Sequence, residues 1–419
     1  MVVIITMREI LASIDIGTSK IKLVVAEIMD EQFNVLCALD EDSRGVKNGV
    51  IIEPNETEFA IKKLLKIAEE MLGVKISKAI VAVNEEAADF KIGEASITIS
   101  NEDKEITASD IVRVLQMSVQ GKIEKEFDLV TVIPIMFKVD DRKTRVPKGM
   151  RAESLSVKSV VVSLPKKDIF VVAKCLEKCG VEVVDIMLSS IGAYHAHANE
   201  STDTTTGIVI DCGEETIKLS VFNKGIIVNN LVMNIGGKNV DNDIGFIYKL
   251  TDAQAKKIKE NLALANKRYA KASEKETIVN TVGEKIVINQ QELTEVVMSR
   301  LHEMLNMAKN EINYLTKKEI SYIIITGGMS ELKDFSLEVE SVFGRIAYTG
   351  KINIVGARNN MFASCIGMIK YFDYKLKLRD KEFSVLSSDD IDKLSGDTGK
   401  KGISGDSILG KVFGMFFDN

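Results

Sequence analysis

No apolar run in this 419-residue chain approaches the ~20 residues that a membrane-crossing helix needs. The apolar start, Val2 to Thr6, is too short for a secretory signal and lacks a basic lead; patterned sequence begins only after Met7, an alternative start. Five cysteines without any Cys-x-x-Cys give no disulfide framework and no zinc ribbon. Cys175 and Cys179 stand four apart on an expected helix, and read as small buried residues of a reducing compartment rather than a redox pair. Histidine is scarce, and His195 and His197 have no third ligand nearby, so they read as helix residues rather than metal ligands. A net charge of −6 gives no pull towards nucleic acid. With 45% hydrophobic and 28% charged residues, the composition is that of a soluble globular protein, long enough for two or more domains.

What is present is a turn that occurs twice. Ile14-Asp15-Ile16-Gly17-Thr18-Ser19-Lys20 lies between the apolar runs Ile10 to Ile14 and Ile21 to Val25, the pattern of a tight hairpin. Successive backbone N–H groups in such a turn suit an anion, the hydroxyls add donors, and Lys20 adds a cation to set against phosphate. Asp15 belongs in that setting only if it faces a hydrated Mg²⁺. The second copy, Ile208 to Thr216, again closes a strand with Asp211, then Gly213 and Thr216, before a strand from Ile217 to Phe222. Each copy leads into a third strand, Phe33 to Ala38 or Ile226 to Met233. Two such hairpins facing one another can grip a triphosphate, with Asp15 and Asp211 on one hydrated metal. This arrangement resembles the ATP clamp of the actin, hexokinase and chaperone-ATPase superfamily.

Between the copies, Glu53 to Leu72 reads as a helix with Ile61, Leu64, Leu65, Ala68 and Leu72 on one face, and Lys78 to Asn84 as a buried strand. From about 85 to 164 the pattern changes to strands at Ala95–Ile99, Val130–Val139 and Val157–Ser163 around one helix, Ser109 to Gly121, with Thr107 and Asp110 as its capping box. Asp140 to Arg145 reads as a charged, solvated loop. A helix from Lys166 to Cys179, a strand at Val181–Ile186 and a helix from Ser189 to Ala198 lead to the second turn. Beyond it, Gly236-Gly237-Lys238 opens a helix whose N-terminus suits phosphate. Thr251 to Ala265 reads as a polar helix, 277–288 as a hairpin around Gly283, and Gln290 to Leu315 as a long amphipathic helix. Ser321 to Ile325 then enters Thr326-Gly327-Gly328-Met329 and a helix from Ser330; a glycine turn after a buried strand is where nucleotides lie in α/β sheets.

From 384 to 404 the composition shifts to Ser, Gly, Asp and Lys, a flexible tether of about 25 Å. It ends in 405–419. At helical spacing Ile408, Leu409, Val412, Phe413, Met415, Phe416 and Phe417 fill one arc, with Ser407, Gly410, Lys411, Gly414 and Asp418 opposite. Too short to span a bilayer, this segment fits the interface of a membrane; the alternative is a helix docked on its own domain or on a partner.

These pieces, in order, resemble the FtsA family of bacterial cell-division proteins. The insert contributes Glu105-Ile106-Thr107, Val132-Ile133-Pro134, Val139-Asp140 and Pro147-Lys148-Gly149-Met150, and later come Asn242-Asp243-Ile244 and Thr326-Gly327-Gly328. The resemblance implies an α/β, actin-like two-lobed fold, each lobe built on a three-stranded meander plus helices, with a small inserted α+β domain and a tethered C-terminal amphipathic helix. It places the first lobe at 1–84, 165–205 and about 366–383, the insert at 85–164, the second lobe at 206–243 and 317–365, and a subdomain at 244–316. It implies ATP with Mg, phosphates met by Asp15, Gly17, Thr18, Ser19, Lys20, Asp211, Gly213 and Thr216, and adenosine met by Gly236, Gly237, Lys238, Lys259, Gly327, Gly328 and Met329. It further implies self-association into filaments, docking of the C-terminal tail of the tubulin-like FtsZ on 244–316, and a site on the cytoplasmic face of the membrane at division, with Ile408 to Phe417 in the lipid. The rival readings are the type IV pilus assembly protein on the same core and a small-molecule kinase.

Two departures stand out. Glu214, Glu215 and Lys218 occupy a turn that is glycine-rich in that family, and Lys256 replaces a ribose-contacting acid. A carboxylate about 5 Å from a phosphate costs about 3 kcal/mol at an effective dielectric of about 20. Glu214 and Glu215 must therefore point away or be compensated by Lys218, and hydrolysis is expected to be slow or absent.

Overall fold

The computed structural model describes residues 9–29 and 32–394. The expected start, the chain from 395 onward and the amphipathic segment lie outside them. The flexible tether expected from 384 does not begin there: Val385 and Leu386 are buried in the first unit's core, Val385 N–H donates to the Ile10 carbonyl at 2.8 Å, and Ser388–Leu394 is a helix. The described chain forms two compact units. One takes the residues up to Ala196, Asn353–Arg358 and the chain from Ser364; the other takes His197–Ile352 and Asn359–Ala363.

The first unit is built on a sheet whose Glu9–Ile16, Lys20–Met29 and Gln32–Asp42 strands form an antiparallel meander, because two short turns return the chain directly. Lys78–Val83 then joins Glu9–Ile16 in parallel, and Glu182–Leu188 joins beyond it. The second unit repeats this order. Thr206–Cys212, Ile217–Asn223 and Ile226–Met233 make the meander, and Tyr322–Thr326 and Ala347–Thr349 add in parallel beside Thr206–Cys212. Parallel strands need a crossover, and helices supply it. In the first unit Pro54–Leu72 starts with its proline where no N–H is missed and stops at Gly73, which takes a left-handed φ of 72°. Its Ile61, Leu64, Ala68 and Leu72 are buried in the sheet's core, the three larger side chains each worth about 1.5–3 kcal/mol relative to exposure. In the second unit Gln290–Leu315 buries Leu293, Val297, Leu301, Met304, Ala308 and Ile312 along one stripe, capped by Asn289.

The insert is a four-stranded sheet ordered Asp89–Thr98, Ser154–Pro165, Phe127–Val139, Arg142–Thr144, with Ala108–Val119 packed on it. Thr107 and Asp110 form the capping box expected of them. A Cβ on Gly93 would stand 2.4 Å from the Ser118 carbonyl oxygen, so glycine is what lets that helix lie so close to the sheet.

Three further expectations need correction. Within the supposed loop 140–145, Arg142–Thr144 pairs with Phe137–Val139, so its charged side chains decorate an edge strand, where charge discourages further pairing. The helix of 251–265 is Asp252–Leu262, because Ala263 turns extended and the next donors go elsewhere, Leu264 N–H to Thr294 Oγ1 and Ala265 N–H to the Lys333 carbonyl. After Thr326 the chain makes a 3-10 turn, Gly328–Glu331, and the α-helix begins only at Phe335, after Asp334 has taken a left-handed φ of 64°.

Candidate functional site

The two turns share one geometry. Ile16 opposes Ile21 and Asp15 opposes Lys22 in the first; Cys212 opposes Ile217 and Asp211 opposes Lys218 in the second. Gly17 N–H donates to the Lys20 carbonyl at 3.1 Å, and Gly213 N–H to the Thr216 carbonyl at 2.9 Å. A Cβ on Gly17 would meet Lys20 O at 2.9 Å, and one on Gly213 would meet Thr216 O at 3.0 Å, so both cradles require glycine.

In the first turn Asp15 is nearly buried and held from two sides, by Lys22 Nζ at 2.7 Å and by Ser364 Oγ at 2.5 Å. Thr18 Oγ1 accepts from Gly49 N–H at 2.8 Å. Ser19 offers its carbonyl to Ser43 N–H at 2.9 Å. Lys20, expected to face phosphate, lies 2.8 Å from Asp40 and 2.9 Å from Asp42. Burial draws its ammonium pKa down, but the hydrogen bonds to Asp40 and Asp42 outweigh that and raise it.

In the second unit Asp211 lies in register with Thr326, and Thr326 Oγ1 is 3.0 Å from His197 Nε2. Gly327 sits against Asp211 with φ at 91°; a Cβ there would fall 2.3 Å from Asp211 Oδ1. The helix Gly237–Tyr248 starts directly on the turn. Gly237 N–H donates to Gly213 O at 3.0 Å, Lys238 N–H to Glu214 O at 2.7 Å, and Gly236 N–H to Asn239 Oδ1 at 2.9 Å. The donors expected to suit phosphate at that helix start are thus engaged within the protein, which corrects the reading of Gly236 to Lys238 as an open anion site.

The two glutamates are compensated by lysines of the neighbouring helices. Lys256 Nζ is 3.1 Å from Glu214 Oε1, and Lys238 Nζ is 3.1 Å from Glu215 Oε1, which raises the Lys238 pKa. The two departures from the family pattern, Glu214 and Lys256, therefore answer one another. Glu214 and Met329 flank Gly237, at 3.3 Å and 3.2 Å from where its Cβ would be. Lys259 is buried, donating to Asp241 Oδ2 at 2.9 Å and to the Gly237 carbonyl at 3.3 Å, so it fixes the glycine backbone from beneath. Burial raises the Asp241 carboxyl pKa, and Lys259 opposes this only in part. Gly328 begins the 3-10 turn with open space where a Cβ would be.

Sequence reading missed Lys22, Ser364, Asp40, Asp42 and Asp241. Lys22 had a signal: seven residues after Asp15 across a four-residue turn is the position opposite. Ser364 had none.

The family described as Cell division protein FtsA matches at residues 208–367, and the SHS2 domain inserted in FtsA matches at 89–163. The chain is 28% identical to the cell division protein FtsA of Bacillus subtilis over 370 residues, covering 87% of this chain and 83% of the relative. It is 27% identical to that of Pseudomonas aeruginosa, covering 87% and 89%. Among solved structures, a PilM–PilN type IV pilus biogenesis complex gives a TM-score of 0.57 at 14% identity, covering 86% of this chain and 98% of that one. MreB5 of Spiroplasma citri bound to ADP gives 0.54 at 12% identity, covering 88% and 97%. These two share the actin-like fold, whereas the two matched family models and the sequence relatives make this chain similar to the FtsA cell-division proteins.

Proposed function

We propose that the chain binds Mg-ATP through its two hairpin turns and serves as an actin-like scaffold of the division site. The observation that supports this is the repeat itself. Two sheets of the same strand order each carry an Asp, then a Gly cradle, with a Lys opposite the Asp. The residues fit the group: glycine cradles admit an approaching phosphate, and Asp15 and Asp211 would meet the hydrated metal. Bound metal would neutralise charge on the phosphates. Gly17, Thr18, Ser19, Lys20, Gly213 and Thr216 would orient the triphosphate, and Gly236, Gly237, Lys238, Gly327, Gly328 and Met329 the nucleoside, with Lys259 holding Gly237. Lys20 would exchange Asp40 and Asp42 for phosphate. Hydrolysis in this reading is slow or absent, because the second phosphate turn carries Glu214 and Glu215.

In this reading ATP favours head-to-tail filaments, the 244–316 block docks the FtsZ C-terminal tail, and Ile408, Leu409, Val412, Phe413, Met415, Phe416 and Phe417 attach the filament to the cytoplasmic face of the membrane. Titration of the full chain with fluorescent ATP tests the core of it. One saturable, Mg-dependent site should appear, and Asp211→Asn and Gly17→Val should each weaken it at least tenfold. Absence of binding, or binding unchanged in both variants, would overturn the proposal.

A further inference from the structure

Cys175 lies in the helix Lys166–Lys178 and Cys179 caps it, and the backbone between them is a true helical turn: Cys179 N–H donates to the Cys175 carbonyl at 3.3 Å and to Leu176 at 2.9 Å. Both thiols point at the first turns of Pro54–Leu72. Cys175 Sγ is 3.9 Å from the Pro54 carbonyl oxygen and Cys179 Sγ is 3.6 Å from that of Glu58. Side chains four apart on a helix keep their Cβ atoms about 5–6 Å apart, whereas a disulfide needs about 3.5–4.5 Å, so oxidation to a bridge would require the helix end to unwind. A cation between the sulfurs meets no such limit. With metal–thiolate bonds of about 2.3 Å, two ligands in line span about 4.6 Å.

We propose that Cys175 and Cys179 form a two-coordinate site for one soft monovalent cation, the cuprous ion. Thiolate pairs select Cu(I) over harder ions, and zinc would need four ligands. Among the described residues no group of three or more His, Cys, Asp or Glu is placed to hold a metal, which leaves a two-ligand ion. Binding replaces two S–H bonds by two Cu–S bonds and releases two protons. The resulting centre carries one negative charge. The charged groups around it are Glu58, Lys62 and Lys178. Lys178 Nζ already balances Glu58 Oε1 at 3.0 Å, so Lys62 is the cation left to offset the bis-thiolate. Cys175 is 2% exposed, which shields the centre from water and exchange. The other thiols do not compete: Cys37, Cys212 and Cys365 are each buried on separate strands or helices.

The test is an anaerobic titration of the reduced full chain with cuprous ion against a chromophoric Cu(I) chelator. One ion per chain should be withheld from the chelator, with a sulfur-to-copper charge-transfer band. Cys179→Ser, half-buried at a helix end and checked for an unchanged melting temperature, should abolish both signals. A second reading needs no variant: bound copper should protect Cys179 from alkylation, mapped by mass spectrometry. Failure to compete with the chelator, copper retained by Cys179→Ser, or protection falling on other cysteines would overturn the proposal. So would a Cys175–Cys179 disulfide formed by peroxide in the folded chain.

Discussion

Lys256 Nζ stands 3.1 Å from Glu214 Oε1, joining the helix Asp252–Leu262 to the second hairpin turn through side chains 33% and 22% exposed. A pair this open is worth about 0.5–1 kcal/mol, so in the proposed Mg-ATP site it would matter through its charge rather than through stability. Lys256→Gln should weaken ATP binding by about tenfold, because it leaves an uncompensated carboxylate at the turn. Glu214→Gln should tighten binding, and the double variant should return close to the parent. Titrations at low and high salt check this; the differences should shrink as salt screens the charges. Equal losses in both single variants would contradict it.

Asp15 and Lys22 form a tighter pair, with side chains 11% and 15% exposed. Lys22→Met removes one partner of a largely buried ion pair, and the hairpin should lose about 3 kcal/mol. Asp15→Asn combined with Lys22→Met should recover most of the loss, since neither charge is then stranded. Hydrogen exchange across residues 14–23 reads the hairpin directly, free of transitions elsewhere in a chain of two units.

Gly327→Ala is a backbone test. Its φ of 91° disfavours any L side chain, and the new Cβ would fall 2.3 Å from Asp211 Oδ1. The substitution should displace Asp211 and abolish Mg-dependent ATP binding. Gly328→Ala, with open space at the same point, should leave binding within about threefold, below the ~1 kcal/mol that marks a real contact.

Much of this was legible in the chain because it is local. The hairpins declare themselves by short apolar runs around Asp-x-Gly, and the Thr107–Asp110 cap by spacing alone. What escaped depends on register or on distance along the chain. Lys20 meets Asp42 only because a bulge between Val25 and Ala26 shifts the pairing of Lys20–Met29 with Gln32–Asp42 by one residue. Without the bulge Asp40 and Asp42 would fall on the opposite face and Glu41 would stand opposite Lys20. Ser364 reaches Asp15 across 349 residues, a contact with no local trace. Glu214 and Lys256 were each visible as departures, but their pairing required the fold.

His195 sets an acid limit. Its half-buried ring stacks on Tyr371 at 4.5 Å, and burial, reinforced by Lys370, pushes its pKa down to about 3. The folded chain keeps it neutral while the unfolded chain protonates it below 6.5. Stability from this group is therefore complete above that pH and is lost as pH falls towards 3, by at most about 1.4 kcal/mol per pH unit. His195→Phe keeps a stacked ring without a titrating group. Melting temperatures from pH 7 to 4 should fall less steeply for the variant, and matched slopes would refute the assignment.

The anchor prediction is argued from sequence, since residues 405–419 lie outside the described structure. Gly410 and Gly414 each cost a helix about 1 kcal/mol, so the segment gains little from folding in water. Burial of Ile408, Leu409, Val412, Phe413, Met415, Phe416 and Phe417 at a lipid interface supplies what propensity does not. The full chain should therefore co-sediment with liposomes and a chain stopped at Ser404 should not. Phe413→Asp should release the full chain by placing a charge in the middle of the apolar arc. Lys411 is the one cation within the arc's span, so added salt should weaken sedimentation only slightly. Equal pelleting of full-length and shortened chains would assign the segment to docking on protein instead, because the lipid face would then carry no binding energy.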